Sequence, residues 1–204
     1  LLTATFLGLI LSTLIPALGA LHARGDHDSI ARWQGRVAAY CAIALILSAY
    51  ALLGFGRTAI GLCLGPEFLP VYPNALIIFL ATPAILVATV GMNYALLDKK
   101  PAAFLQAVTA GAAVMAAGSW ILIPAGRSAG AAGATVLGYA ALAGVFIVHY
   151  HRPFRIIFPP FIRVLLLGLP PAALFLLPAL RPHAAPVSIA AGLLFLLLLI
   201  GTRT

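Results

Sequence analysis

The side chains able to do chemistry are few, and their positions restrict what they can do. The chain has four carboxylates, Asp26, Asp28, Glu67 and Asp98. All four fall in polar gaps between apolar runs, so no two are set to face each other across a pocket for acid–base work. The histidines, His22, His27, His149, His151 and His183, also sit at run ends or in gaps, where an interfacial role fits better than proton relay. A hydrolase nucleophile elbow, a zinc-protease helix, a phosphate loop and a dinucleotide fingerprint are missing. Cys41 and Cys63 have neither zinc nor redox spacing. With an apolar helix between them they stand ~30 Å apart, beyond disulfide reach. What remains is hydrogen bonding. Thr82, Thr89 and Asn93, spaced by seven and four, share one helical face, as do Gln106 and Thr109. Polar groups inside long apolar runs face a bundle interior or a wet cavity. These five residues are therefore expected to line a cavity for a polar cargo. The competing role is glue between helices, worth about 0.6 kcal/mol a contact. No catalytic residue, metal site or cofactor is expected.

The elements that would carry these residues follow from composition. Of 204 residues, 63% are hydrophobic and 8% charged. A soluble domain has about a quarter charged residues, and a disordered chain has far less apolar content. The expected fold class is all-α, a polytopic transmembrane helix bundle of seven helices in a single domain covering 1–204. The apolar runs are 1–21, 37–56, 74–97, 102–124, 128–149, 162–180 and 184–201. Each is near the ~20 residues that cross a bilayer core as helix. None alternates with period two, and backbone groups in lipid must be bonded within the segment.

The net charge of +8 comes from 12 Lys and Arg residues. They lie in the gaps, as orientation signals and headgroup contacts do, so membrane lipids are expected as partners and nucleic acid is not. Counted by alternate gaps, nine cations fall on one side and three on the other. The positive-inside rule then places the C-terminus in the cytoplasm. Within the runs the only charged residue is Arg163, at the start of the sixth, where it can snorkel. The chain opens on Leu-Leu inside an apolar run without a basic leader region, and reads as a piece whose upstream part is missing.

Local signals refine this picture. Pro16 and Pro83 each remove a helical hydrogen bond and are expected to bend their helices, as hinges or as fixed kinks. Asp28 is expected to cap a short helix leading to Arg36. Pro159 and Pro160 are expected to delay the sixth helix. Ile78 and Leu86 are assigned to the lipid face. Around Pro124, the small residues Gly126, Gly130 and Gly133 are expected to let the fourth and fifth helices pack closely at a short outer turn.

That same stretch, Trp120 through Thr135, resembles the "LIPxxGxxGAAxAT" turn of polysaccharide flippases, with one extra residue between Gly126 and the Gly130-Ala-Ala block. These flippases belong to the multidrug/oligosaccharidyl-lipid/polysaccharide exporter superfamily (the MATE-like fold). The segment from Pro16 to Gly25-Asp26 is similar to the family's proline-bearing helix followed by a "GD" loop, and Leu64-Gly65-Pro66-Glu67-Phe68 resembles its "fG-x-x-[FY]" element. The likeness covers about residues 1–150. It implies that the seven helices correspond to helices 8–14 of fourteen and that the N-terminal half of the same transporter is the partner. The cargo would be an isoprenoid-pyrophosphate-linked oligosaccharide crossing the bacterial cytoplasmic (inner) membrane for surface polysaccharide (O-antigen, lipopolysaccharide) biosynthesis. Alternatives are a multidrug or lipid-II exporter of the same superfamily and, in another class, an integral-membrane glycan polymerase or acyltransferase.

Overall fold

The computed structural model describes residues 15–173 and 184–201. Among these residues the chain is helical throughout: α1 Ile15–Ala23, α2 His27–Cys63, a 3-10 turn Pro66–Val71, α3 Tyr72–Phe79, α4 Thr82–Leu97, α5 Pro101–His149, α6 His151–Ala173 and α7 Ala184–Gly201. α2 and α5 are long and apolar enough to cross a membrane, and the bent run from Pro66 to Leu97 makes a third such element. The fold is an all-α bundle compatible with a membrane. Most of the first apolar run, and the end of the sixth, lie outside the described residues.

α5 is a hairpin rather than one rod. Arg127 has φ 49° and ψ −121°, outside the helical region, and the arms on either side pack against each other. A β-carbon on Gly118 would lie 3.3 Å from that of Ala134. On Gly138 it would lie 2.7 Å from Met115 Cβ, and on Gly111 2.9 Å from Leu142 Cβ. The residue numbers rise on one arm as they fall on the other, so the arms are antiparallel about Arg127. Small residues along this seam let the two backbones approach closely.

The remaining contacts give every element a direction. Asn74 Nδ2 donates to Ser128 Oγ at 3.0 Å, and the rings of Tyr94 and Tyr150 stack at 5.7 Å. The bent α3–α4 run therefore lies parallel to the second arm of α5. A β-carbon on Gly35 would approach Ile157 Cα at 3.4 Å, and one on Gly168 would approach Ile46 Cδ1 at 2.8 Å, so α2 and α6 are parallel. Tyr50 OH donates to the Gly168 carbonyl at 2.6 Å. Ser188 Oγ donates to the Tyr50 carbonyl at 2.6 Å, while Leu199 shares a groove with Arg36 and Tyr40, so α7 runs antiparallel to α2. These directions form one alternating set. One end of the bundle gathers Arg24, Arg32, Arg36, Lys99, Lys100, Arg152 and Arg155; the other has Arg57 and Arg127.

Several boundaries differ from the sequence reading, each for a local reason. α2 begins at His27 and runs unbroken to Cys63, so no separate short helix precedes the span. Its cap is Asp26, not Asp28: the Ser29 N–H donates to Asp26 Oδ1 at 3.0 Å, satisfying an otherwise orphaned donor of the first turn. The third run is broken rather than continuous. α3 and α4 meet at a bend of 42°, two residues before Pro83. Proline has no N–H for the Phe79 carbonyl, and its ring clashes with a carbonyl four residues earlier. The chain instead tightens, with Leu80 N–H bonding Ile77 O and Ala81 N–H bonding Ile78 O, both at 3.0 Å. Pro159 and Pro160 do not delay the sixth helix; α6 starts at His151 and passes through both. The close fit of α2 at Gly35 against Ile157 and Pro160 holds this segment helical. Pro16 is the second described residue of α1, so any bend it causes falls partly outside the described residues.

The core lies where α2, α4 and α6 meet. Ala38, Leu86, Val90, Phe154, Ile157 and Phe161 are buried there together. Leu86 thus belongs to the interior, not to the lipid face, while Ile78 is exposed. Cys41 is buried, Cys63 is exposed, and both are free thiols.

Candidate functional site

The five polar residues expected to line a cavity divide into two groups. Thr82 and Asn93 are buried in α4. Thr89, between them, is half-buried and donates to its own helix at the Ile85 carbonyl, 2.8 Å away. Gln106 and Thr109 are exposed on the first arm of α5. That arm buries only its small residues, Ala103, Ala107 and Gly111, and leaves Phe104, Leu105, Val108 and the fully projecting Trp120 uncovered. The two groups therefore do not converge on one space. The first is packed inside the described bundle; the second stands on a broad uncovered face.

Around the hairpin tip, Pro124, Gly126 and Arg127 are exposed. Gly126 has no heavy atom within 4 Å of where a β-carbon would be. Gly130 is different: a β-carbon there would overlap the main-chain carbonyl of Leu122. Gly133 makes an ordinary contact, 3.6 Å to Leu122 Cδ1. The tight approach lies at Gly130, Gly118, Gly138 and Gly111, and Gly126 takes no part in it.

Residues not singled out from the sequence join Asn93 in a second polar region. Gln34 and Asn93 are 0% and 1% exposed, and neither side-chain amide has a hydrogen-bond partner among the described residues. The Tyr94 and Tyr150 hydroxyls are also buried and unpartnered. Ala38 of α2 borders a small void with Leu86 and Val90 of α4. One turn closer to the basic end lie Gln34 on α2 and Asn93 and Tyr94 on α4, which run antiparallel. The unpartnered groups thus sit at one depth. Buried amides and hydroxyls of this kind call for ordered water or another polar group. The sequence carried a signal for Gln34, which sits at i+4 from Ile30 and i−4 from Ala38 on a buried stripe. Its place in a polar gap between two apolar runs hides that signal.

The electrostatics are those of a polarised bundle. At the α4–α5 junction, Lys100 Nζ lies 3.4 Å from Asp98 Oδ2, and Lys99 takes φ 53° to turn the chain. The Asp26 carboxyl is held below its ordinary value, first by the hydrogen bonds from Ser29 and then by the nearby Arg32 charge. Among the described residues no cluster of His, Cys, Asp or Glu is placed to hold a metal ion.

The chain matches no family model, no curated protein and no solved structure. Its function must be argued from its own geometry. That geometry offers a hairpin with one uncovered face, a basic end, and interior polar groups without partners.

Proposed function

We propose that the chain is half of a membrane transporter, the C-terminal half of a flippase that carries an isoprenoid-pyrophosphate-linked oligosaccharide across the bacterial cytoplasmic membrane, with its C-terminus cytoplasmic. The observation that carries the reading is the uncovered face of the first α5 arm. Gln106 and Thr109 stand exposed among apolar residues there, on a hairpin whose tip sequence is the stretch resembling the family. A face both apolar and hydrogen-bonding suits contact with a second half across a passage for sugars. Two further features support the reading. The helices alternate in direction, and the cations gather at one end of the bundle, as the positive-inside rule asks of a cytoplasmic face. No role in catalysis is proposed.

The test has two arms. Loss of the full gene should strand lipid-linked repeat units on the cytoplasmic side. In a C63S background, Gln106→Cys and Thr109→Cys should react with water-soluble thiol reagents and be protected by the cargo, while Thr82→Cys should stay slow. Normal export without the gene would remove the function. Equal, cargo-independent labelling at all three positions would remove the passage wall.

A further inference from the structure

The mechanism proposed above makes no use of the groove between α2, α6 and α7. Arg155, Pro159, Ile162, Arg163 and Leu166 follow one another at i, i+4, i+7, i+8 and i+11, which is one face of α6. Two adjoining depressions open along that face. The first, about 480 Å³, is bordered by Arg155, Phe158, Ile162 and Leu166. The second, about 470 Å³, is bordered by Arg36, Tyr40 and Ile43 of α2 and Leu199 of α7. Pro159, Arg163 and Leu167 form the ridge common to both. Three guanidinium groups thus rim an otherwise apolar surface, and no carboxylate borders either depression.

We propose that this groove binds an anionic, doubly acylated glycerophospholipid from the leaflet at the basic end of the bundle. Each part of such a lipid has a counterpart here. Guanidinium groups recognise a phosphate by paired, charge-assisted hydrogen bonds. From the basic end, Arg155 lies about one turn into α6 and Arg36 about two and a half turns into α2, on the headgroup side of the groove, and Arg163 lies deeper with an apolar stem that can lie along the groove. The depressions on either side of Arg163 are lined by Ile, Leu, Phe and Pro side chains, suited to two acyl chains diverging from one phosphate. A zwitterionic lipid would bring a cation among three arginines with no carboxylate to receive it. The inference rests on the membrane-spanning part of the proposed function but not on the cargo.

The experiment is native mass spectrometry of the full chain extracted from membranes in mild detergent, with phosphatidylglycerol or phosphatidylethanolamine titrated in. The unmodified protein should retain phosphatidylglycerol preferentially. Each of Arg36→Gln, Arg155→Gln and Arg163→Gln should weaken that retention by about fivefold, the amount expected of one cation near a membrane surface. Arg57→Gln and Arg127→Gln, at the opposite end, should leave it unchanged and serve as folding controls. Equal retention of both lipids would overturn the proposal, as would undiminished retention by the triple variant or a protein segment occupying the groove with no lipid mass bound. Retention of a single-chain lysolipid as firmly as the two-chain lipid would also overturn it. Failure of the membrane reading is seen separately, at extraction, as a chain absent from the membrane fraction.

Discussion

The α-carbon of Gly130 lies against the main-chain carbonyl of Leu122, eight residues earlier, with no room for a β-carbon between them. In a continuous helix eight residues span ~12 Å, so this single contact establishes that α5 folds back on itself. Gly130→Ala should destabilise the fold by about 1–3 kcal/mol, the usual cost of overpacking a tight site. Gly126→Ala, facing open space, should leave stability unchanged. Thermal melts of the two variants in the same detergent check the contrast, and equal melting would contradict the hairpin.

A hairpin also separates its tip from its ends. Reporter tags placed after Arg127 and after Lys99 should report opposite compartments, whereas tags after Lys99 and after His149 should report the same one. If tags after Arg127 and after His149 reported one compartment, the alternating directions would be wrong.

Pro83 sets the bend between α3 and α4. Pro83→Ala restores an N–H for the Phe79 carbonyl and removes the ring clash. The 42° bend should then relax, lengthening the distance between spin labels at Asn74 and Leu96. If pulsed-resonance distances did not change, the bend would be owed to packing against α5 and not to the proline.

Asp26 gives the start of α2 a dependence on pH. Its carboxyl titrates below the ordinary value of 3.8 because the ionised form accepts the Ser29 hydrogen bonds. A depressed folded-state pKa stabilises the fold above the unfolded value, and that stabilisation is lost as pH falls through the folded value. Amide exchange in the first turn of α2 should accelerate in acid below about pH 4. Asp26→Asn, whose amide oxygen still accepts the bond, should remove that dependence.

Tyr50 joins three helices, donating to Gly168 and accepting from Ser188. Tyr50→Phe removes one of these bonds and Ser188→Ala the other. Each should cost about 0.6 kcal/mol and no more than about 1.7. A double-mutant cycle followed by thermal melting checks whether the two losses add.

Much of this arrangement is legible in the residues. Apolar run length and cation position yield the helices and their alternation, because the cost of a charge or an unbonded amide in hydrocarbon is large and local. The turn at Arg127 is equally visible, since Pro124 and the glycines around it mark it. What misleads is proline read as an automatic stop. Pro159 and Pro160 remain inside α6 because α2 packs against them, a contact between residues more than a hundred positions apart. The polar stripes divide for a related reason. Thr82 and Asn93 turn into the described bundle, whereas Gln106 and Thr109 stand exposed, because nothing among the described residues covers their arm, and the sequence spacing alone does not distinguish the two cases. Gln34 is not legible in the sequence because burial at the start of α2 is created by α4 and α6, not by its own neighbours.

The 37 residues of α2 have a mechanical consequence. As one helix they measure ~55 Å, well beyond the ~30 Å of a bilayer core. The first turns of α2 are packed, with Ile30 and Ala31 buried, so the surplus runs beyond α6 at the other end, where Arg57, Leu62 and Cys63 are exposed on the same stiff axis as the buried part. Any twist or tilt of the interior portion must therefore appear at Cys63, an exposed thiol to which a fluorophore can be attached to follow it.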